Sequence, residues 1–306
     1  MGSTWPSRPP SDGSVSLASP TRVRRLLERY GIRPRKRWGQ NFLIDRNLLE
    51  QVVRAAELTP GDRVVEIGPG LGILTRELAC HAAAVLAIEI DPILVTVLTR
   101  ETVADLPNVT ILAADALAVD LAAEARRVLG PPPYKVVANI PYAITSPLLQ
   151  RLLERPGLFS LIVLMVQREV ADRLAAAPGS GEYGAFTVFT QFYAEVERLA
   201  TVTRRAFWPP PEVDSAIVRL RPRRQLPEVD VATLMAVVRA AFQQRRKRLL
   251  NALAGSRELA LPRERLAEAL AEAGIDPARR AETLSVAEFV RLAGAIHARR
   301  TAPIGA

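Results

Sequence analysis

Two short segments of this 306-residue chain hold residues spaced for chemistry. Val64-Val65-Glu66-Ile67-Gly68-Pro69-Gly70-Leu71-Gly72 reads as a buried strand running into a glycine-rich turn and then a helix. That arrangement lets a nucleotide-like ligand approach the backbone. Val136-Val137-Ala138-Asn139-Ile140-Pro141-Tyr142 reads as a second strand, ending in an amide, a proline and an aromatic. An open α/β sheet presents its reactive groups at such strand ends. The two segments therefore propose a ligand site and a reaction site on one sheet.

Glycines at alternate positions also suit a dinucleotide, or a plain turn, so the acidic residues carry the choice of ligand. Glu66 stands two residues before Gly68, Glu89 ends the next strand, and Asp115 follows the third. A carboxylate at the first turn repels a pyrophosphate. S-adenosylmethionine has no phosphate, and its sulfonium and ammonium groups are favoured by nearby carboxylates. Glu89 is placed to receive both ribose hydroxyls, and Asp115 to accept from an adenine amino group. The bland alternative for Glu89 and Asp115 is that they cap helices at strand ends.

Asn139-Ile140-Pro141-Tyr142 suits methylation of a nitrogen whose lone pair is conjugated with a ring. The Asn139 side-chain carbonyl and the Ile140 backbone carbonyl can accept its two N–H bonds and draw it toward pyramidal geometry. Pro141 stiffens the turn, and Tyr142 offers a stacking face. Catalysis is then positioning for in-line transfer, with no dedicated general base. Read alone, the tetrad is also compatible with a turn and a core tyrosine.

Alternating strands and helices must position these groups. Strand-like runs are Arg63–Ile67, Ala84–Ile90, Val109–Ala113, Tyr134–Ile140 and Phe159–Val166, all short and apolar. Asp91-Pro92 and Ser146-Pro147 each read as an N-cap before a proline at the first helical position. Gln167-Arg168-Glu169 starts the helix after the fifth strand. Continuous apolar strands in β-α repeats imply a parallel sheet covered on both faces. After Pro178-Gly179-Ser180-Gly181, runs near 186–193, 196–203 and 215–220 read as further, partly antiparallel strands. Tyr183-Gly184 marks either a lid or a turn. Arg221 to Pro227 is a linker, and helices near 231–254, 262–273 and 285–298 predict a small all-α domain. The expected division is an extension over 1–20, disordered; a catalytic domain over 21–224; and a helical substrate domain over 225–306.

A hydrophobic content of 49% is ample for a core. The net charge of +9 points to a polyanion as partner. Only Lys36, Lys135 and Lys247 among the 41 basic residues are lysines, a ratio that fits a GC-rich genome. One cysteine, Cys80, excludes an internal disulfide framework and fits a reducing compartment, and two histidines make a structural zinc site untenable. No metal is expected. No stretch is apolar for long enough to span a membrane as a helix.

The order and spacing of several segments add a family resemblance. Besides the glycine turn and the tetrad these are Arg35-Lys36-Arg37-Trp38-Gly39-Gln40-Asn41-Phe42-Leu43, Gln167-Arg168-Glu169-Val170, Phe207-Trp208-Pro209-Pro210-Pro211-Glu212-Val213-Asp214-Ser215, and Ala241-Phe242-Gln243-Gln244-Arg245-Arg246-Lys247. Over about residues 21–298 the chain resembles the ribosomal RNA adenine N6-dimethyltransferase family, most closely its bacterial small-subunit branch. The resemblance implies a Rossmann-like class I methyltransferase fold with a seven-stranded, mostly parallel sheet plus the small C-terminal all-α domain. It implies S-adenosylmethionine contacts at Asn41, Leu43, Gly68, Glu89, Asp115 and Asn139, beside the Glu66, Gly70 and Gly72 read from the turn. It also implies that Tyr142 and Phe207 sandwich the target adenine. Ile140 stands where relatives often have Leu, with the backbone carbonyl as the working group. The implied reaction puts two methyl groups on each of two adjacent adenosines in a 3′-terminal hairpin loop of small-subunit (16S) rRNA. The expected setting is an immature 30S subunit in the cytoplasm, with the chain acting as a monomer.

Arg22 to Arg37 holds eight basic residues and one acid, Glu28, so Arg35, Lys36 and Arg37 are expected at the mouth of the site as RNA contacts. Arg245, Arg246, Lys247 and Arg248 form a second expected RNA-binding cluster, on a helix face. Trp38 either stacks on a base or anchors the arm. Other classes remain open at this level. One is the large-subunit methyltransferases that confer macrolide resistance, and another is a non-catalytic RNA or transcription-assembly factor on the same fold. A dehydrogenase is the third. The Gly274-Ile275-Asp276-Pro277 and Arg280-to-Ser285 segments favour the small-subunit class.

Overall fold

The computed structural model describes residues 18–35, 39–141 and 144–301. Lys36, Arg37, Trp38 and Tyr142 lie outside the described residues, as do residues 1–17. Ala18 is buried and the Ser19 Oγ accepts from Arg22 N at 3.3 Å, capping helix α1 (Pro20–Arg29). The folded part thus begins before the expected boundary at residue 20.

Among the described residues nine strands follow in chain order: β1 (Phe42–Leu43), β2 (Arg63–Ile67), β3 (Ala84–Glu89), β4 (Val109–Ala113), β5 (Tyr134–Asn139), β6 (Phe159–Gln167), β7 (Ala194–Val202), β8 (Phe207–Trp208) and β9 (Ser215–Pro222). Seven form one sheet in the order β4-β3-β2-β5-β6-β9-β7, and β1 pairs with β8 in a separate ribbon. The neighbours from β4 to β6 are all parallel, and β9 runs antiparallel to both β6 and β7. The expected seven-stranded, mostly parallel sheet is what forms. Ile90 leaves the sheet after Glu89 and is 48% exposed.

Each central strand buries both faces, which is why it reads as an unbroken apolar run. Val65, Ile67, Leu86, Ile88, Val136 and Ala138 turn to one core; Val64, Val85 and Val137 turn to the other. Because side chains alternate, Glu66, Glu89 and Asn139 all fall on the second face. That face is covered by α1, α2 (Arg46–Ala55), α3 (Ile73–His81) and the β1–β8 ribbon. The first face carries α5 (Leu121–Leu129), α6 (Thr145–Leu153) and α8 (Ala185–Tyr193), counting α4 (Pro92–Val97) and α7 (Arg168–Leu174) in chain order.

The segment 186–193 is helical, not the expected strand. Its Phe, Thr and Val content imitates a strand, and short apolar runs do not separate the two by pattern alone. Tertiary bonds decide it: Thr187 Oγ1 accepts from Gly184 N at 3.1 Å and donates to Arg173 O at 2.7 Å. Gln191 Nε2 then donates to Leu174 O and Ala176 O, satisfying carbonyls where α7 ends. Two smaller corrections concern helix starts and the linker. Helix α6 begins at Thr145 with no side-chain cap, so Ser146-Pro147 lies inside its first turn. Arg221 and Pro222 belong to β9, and the linker starts at Arg223.

The C-terminal helices are α9 (Val231–Phe242), α10 (Leu249–Ala254), α11 (Arg263–Glu272) and α12 (Val286–Thr301). They share one continuous apolar cluster with the first sheet face. Tyr183, Phe242 and Phe289 bridge the two parts, with ring centroids 6.1 and 5.8 Å apart. Tyr183 is fully buried, so it belongs to the core rather than to a lid. The basic cluster does not sit on a helix: Gln243 to Lys247 is the turn between α9 and α10. Arg245 Nη2 donates to Gly181 O at 2.8 Å and Tyr183 O at 3.2 Å, pinning the glycine-rich loop, while Arg246, Lys247 and Arg248 are exposed.

Candidate active site

A crevice opens at the carboxyl ends of β2, β3 and β5. Its walls include Asn41, Leu43, Glu66, Gly68, Gly70, Glu89, Asp115, Asn139 and Pro141. Gly72 is not on its lining. At φ +80° it starts α3 with its Cα turned to the 98–102 segment, where an added Cβ meets Leu98 Cδ2 at 2.7 Å and Thr102 Oγ1 at 2.8 Å. Gly72 therefore serves close packing, whereas Gly68 at φ +69° has only ordinary contacts, with Pro141 Cδ at 3.6 Å. Gly72→Ala should cost about 2–5 kcal/mol from left-handed strain plus overpacking, and Gly68→Ala about 1 kcal/mol from strain alone. Urea unfolding of both variants measures the difference; equal losses would refute the distinction.

Glu66 is 1% exposed, and its Oε2 has no hydrogen-bond partner among the described residues. Burial pushes its carboxyl up to about 8; the nearby Thr75 hydroxyl offsets part of that push, and Glu89 adds to it. Thr75 Oγ1 itself makes no hydrogen bond of normal geometry among the described residues. Ionising an acid so placed is costly unless a cation arrives.

Glu89 is held more firmly. Gly70 N donates to its Oε2 at 3.1 Å and Asp91 N to its Oε1 at 2.9 Å. Burial raises its carboxyl, and those backbone donors act the other way. Asp91, not Glu89, caps α4, accepting from Ile93 N at 3.0 Å. Asp115 is exposed and turns the chain by accepting from Leu117 N at 2.8 Å, while still lining the crevice. Backbone hydrogen bonds and exposure to the crevice thus coexist at this strand end. Ile90, Leu117 and Met165 add apolar walls for a flat ring.

Gln40 is a functional candidate that its residue type alone does not suggest. Its Nε2 donates to Asp91 Oδ2 at 2.9 Å, and its Oε1 accepts from Arg35 N at 2.9 Å. It ties the basic arm to the carboxylate end of β3; only its place between Gly39 and Asn41 hints at this. Asn139 Nδ2 donates to Asn41 O at 3.3 Å, which orients the amide and makes Oδ1 its acceptor end.

Ile140 is buried, with its N–H donated to Met165 O at 3.3 Å. Phe207 is 2% exposed and packs in the second core, paired with Leu43. It does not line the crevice, so the expected sandwich needs its ring uncovered. Arg24 lies 4.4 Å from the Trp208 ring centroid, a cation–π contact that joins α1 to the same ribbon.

A sequence model described as "Ribosomal RNA adenine dimethylase" matches residues 31–297. The chain belongs to that family. A ribosomal RNA small subunit methyltransferase A from Pelotomaculum thermopropionicum is 50% identical over 288 residues, covering 91% of this chain and 97% of the relative. One of the same name from Moorella thermoacetica is 49% identical, covering 90% and 97%. Among solved structures, a Plasmodium falciparum dimethyladenosine transferase is similar with TM-score 0.72 and 27% identity, covering 82% of this chain and 95% of that one. The 23S rRNA methyltransferase ErmE is similar with TM-score 0.63 and 32% identity, covering 84% and 100%. This family member therefore has the class I methyltransferase fold, with the crevice at the carboxyl end of its sheet.

Proposed function

We propose that this chain is an S-adenosylmethionine-dependent dimethyltransferase for the N6 amino groups of two adjacent adenosines in small-subunit rRNA. The observation that carries the reading is the buried Glu66 carboxyl, whose Oε2 has no partner among the described residues, in a crevice that also holds Glu89 and ends at Asn139. Those residues fit a cationic nucleoside: Glu66 meets positive charge, Glu89 the ribose hydroxyls, and Ile90 and Leu117 an adenine ring, with Asp115 at its amino group. When bound, S-adenosylmethionine supplies an electrophilic methyl group.

The chain's own residues supply position. Asn139 Oδ1 and the Ile140 carbonyl accept the two N–H bonds of the target amine, which localises its lone pair. Pro141 fixes the turn, and Tyr142 gives the base a face to stack on, with Phe207 opposite once its ring is uncovered. A single-stranded loop reduces the cost of extruding the base. Arg35, Lys36 and Arg37, with Arg246, Lys247 and Arg248, are the proposed phosphate contacts, and the C-terminal helices the RNA-binding unit. Asn41, Leu43, Gly68 and Gly70 shape the cofactor side. The chain acts as a monomer on immature small subunits in the cytoplasm; among the described residues no helix is long and apolar enough to cross a membrane.

The two small-subunit relatives exceed ErmE in identity, which favours small-subunit rRNA over the large-subunit alternative. Incubating the chain with each immature subunit and S-adenosylmethionine, followed by mass spectrometry of the rRNA, tests this. Dimethyladenosine at two adjacent small-subunit positions is expected. Product on large-subunit rRNA alone, or on neither, would overturn the reading.

A further inference from the structure

A second cleft lies at the same end of the sheet, where β6 finishes. Met165 pairs with Asn139 and lines the cofactor crevice; two residues further on, Gln167 lines a separate cleft with Arg168, Arg204, Val213 and Asp214. Asp214 organises it. Its carbonyl accepts from Arg168 N and its Oδ1 from Arg204 N, both at 3.0 Å, so the two arginines rise from one anchored point.

The charges around the cleft are not equivalent. Among its acids, Glu169 is paired with Arg173, Asp214 accepts the Arg204 amide, and Glu212 is likewise engaged. The Arg168 and Arg204 side chains are both exposed, and neither guanidinium has a hydrogen bond or ion pair with the described residues. The carboxylates keep their charge but are held by contacts within the protein, whereas the two exposed guanidinium forks are left to meet an external anion, and their geometry matches phosphate. Phe207 opens β8 directly after the Arg204–Ala206 turn, so the cleft adjoins the residue proposed to stack on the target base.

We propose that Arg168 and Arg204 form a subsite for the backbone phosphate of a nucleotide flanking the target adenosine. The inference rests on the rRNA methyltransferase reading and assigns a distinct part of the same substrate. The subsite holds the strand on the β6–β9 side, while the basic arm holds it on the β1 side. Val213, 45% exposed in the cleft, gives the flanking sugar or base an apolar contact.

The test uses the full-length chain and a labelled rRNA hairpin whose loop carries two adjacent adenosines. Binding is titrated across salt concentrations for the parent, Arg168→Ala, Arg204→Ala, the double variant, and Arg127→Ala, which lies on α5. Each cleft variant should bind about tenfold more weakly, with KM for RNA raised and kcat little changed. The slope of log K against log salt should flatten by roughly 0.7 for each phosphate that the variant leaves unneutralised, and Arg→Lys should restore most of the slope. Arg127→Ala should match the parent, and unchanged S-adenosylmethionine binding shows that each variant is folded. A double variant with parental affinity and slope overturns the subsite while leaving the functional reading intact. Failure of the parent to methylate small-subunit rRNA overturns the reading and the subsite together.

Discussion

Asn139→Ala should lower methyl transfer by about 10²–10³-fold while leaving the fold and most RNA affinity in place. The target amine is a weak nucleophile because its lone pair is shared with the purine ring. An acceptor that engages one of its N–H bonds is useful chiefly as the nitrogen pyramidalises, so its removal falls on kcat rather than on binding. Removing a single preorganised polar partner of a transition state commonly costs that factor. The stability penalty is small: the Asn139 side chain is tied to the fold through Asn41 O, at 3.3 Å, a bond worth about 1 kcal/mol. Asn139→Asp keeps an acceptor but loses the donor to Asn41, so its rate should fall between parent and alanine variant. Single-turnover methylation with saturating RNA and cofactor measures this. Parental turnover in Asn139→Ala would remove the amide from the mechanism.

The sheet is readable from sequence because its strands bury both faces and leave continuous Val, Ile and Leu runs between turn residues. Alternation then places Glu66, Glu89 and Asn139 on one side with no knowledge of tertiary contacts. What the sequence hides depends on neighbours distant along the chain. The 186–193 segment has strand-like composition, and its helicity comes from bonds to Arg173, Leu174 and Ala176. Gly72 sits in the same alternate spacing as Gly68 and Gly70, yet Leu98 and Thr102 explain it, and nothing local separates the roles. Arg245 reads as one of four basic residues, but two loop carbonyls and Glu282 hold it. Phe207 belongs to a family motif, and its burial against Leu43 follows only from the pairing of β1 with β8. The clustering of carboxylates is legible in the sequence; which of them lacks a partner is not.

That missing partner gives the second large effect. With its carboxyl pushed up to about 8, Glu66 is mostly protonated near neutral pH in the ligand-free chain. A cation in the crevice favours the carboxylate, so binding must expel the proton. Apparent affinity for S-adenosylmethionine should therefore rise by up to about tenfold per pH unit between roughly pH 6 and 8, then level off. Calorimetry at pH 7 in buffers of different ionisation enthalpy should register release approaching one proton. Stability of the ligand-free chain runs in the opposite sense. The folded state holds this proton more tightly than the unfolded chain, whose Glu titrates near 4.5. The Glu66 contribution is therefore most favourable below that value and declines as pH climbs toward 8, by at most about 5 kcal/mol at 1.36 kcal/mol per unit. Burial raises the Glu89 carboxyl as well, so its effect has the same sign. Glu66→Gln separates the two: it keeps the shape, removes the titration, and should leave a chain more stable at pH 8 that binds the cofactor more weakly and with a flatter pH profile. If the parent releases no proton and its affinity is level across that range, Glu66 is neutralised by some other group, and the buried carboxylate is no longer the feature that selects a cationic ligand.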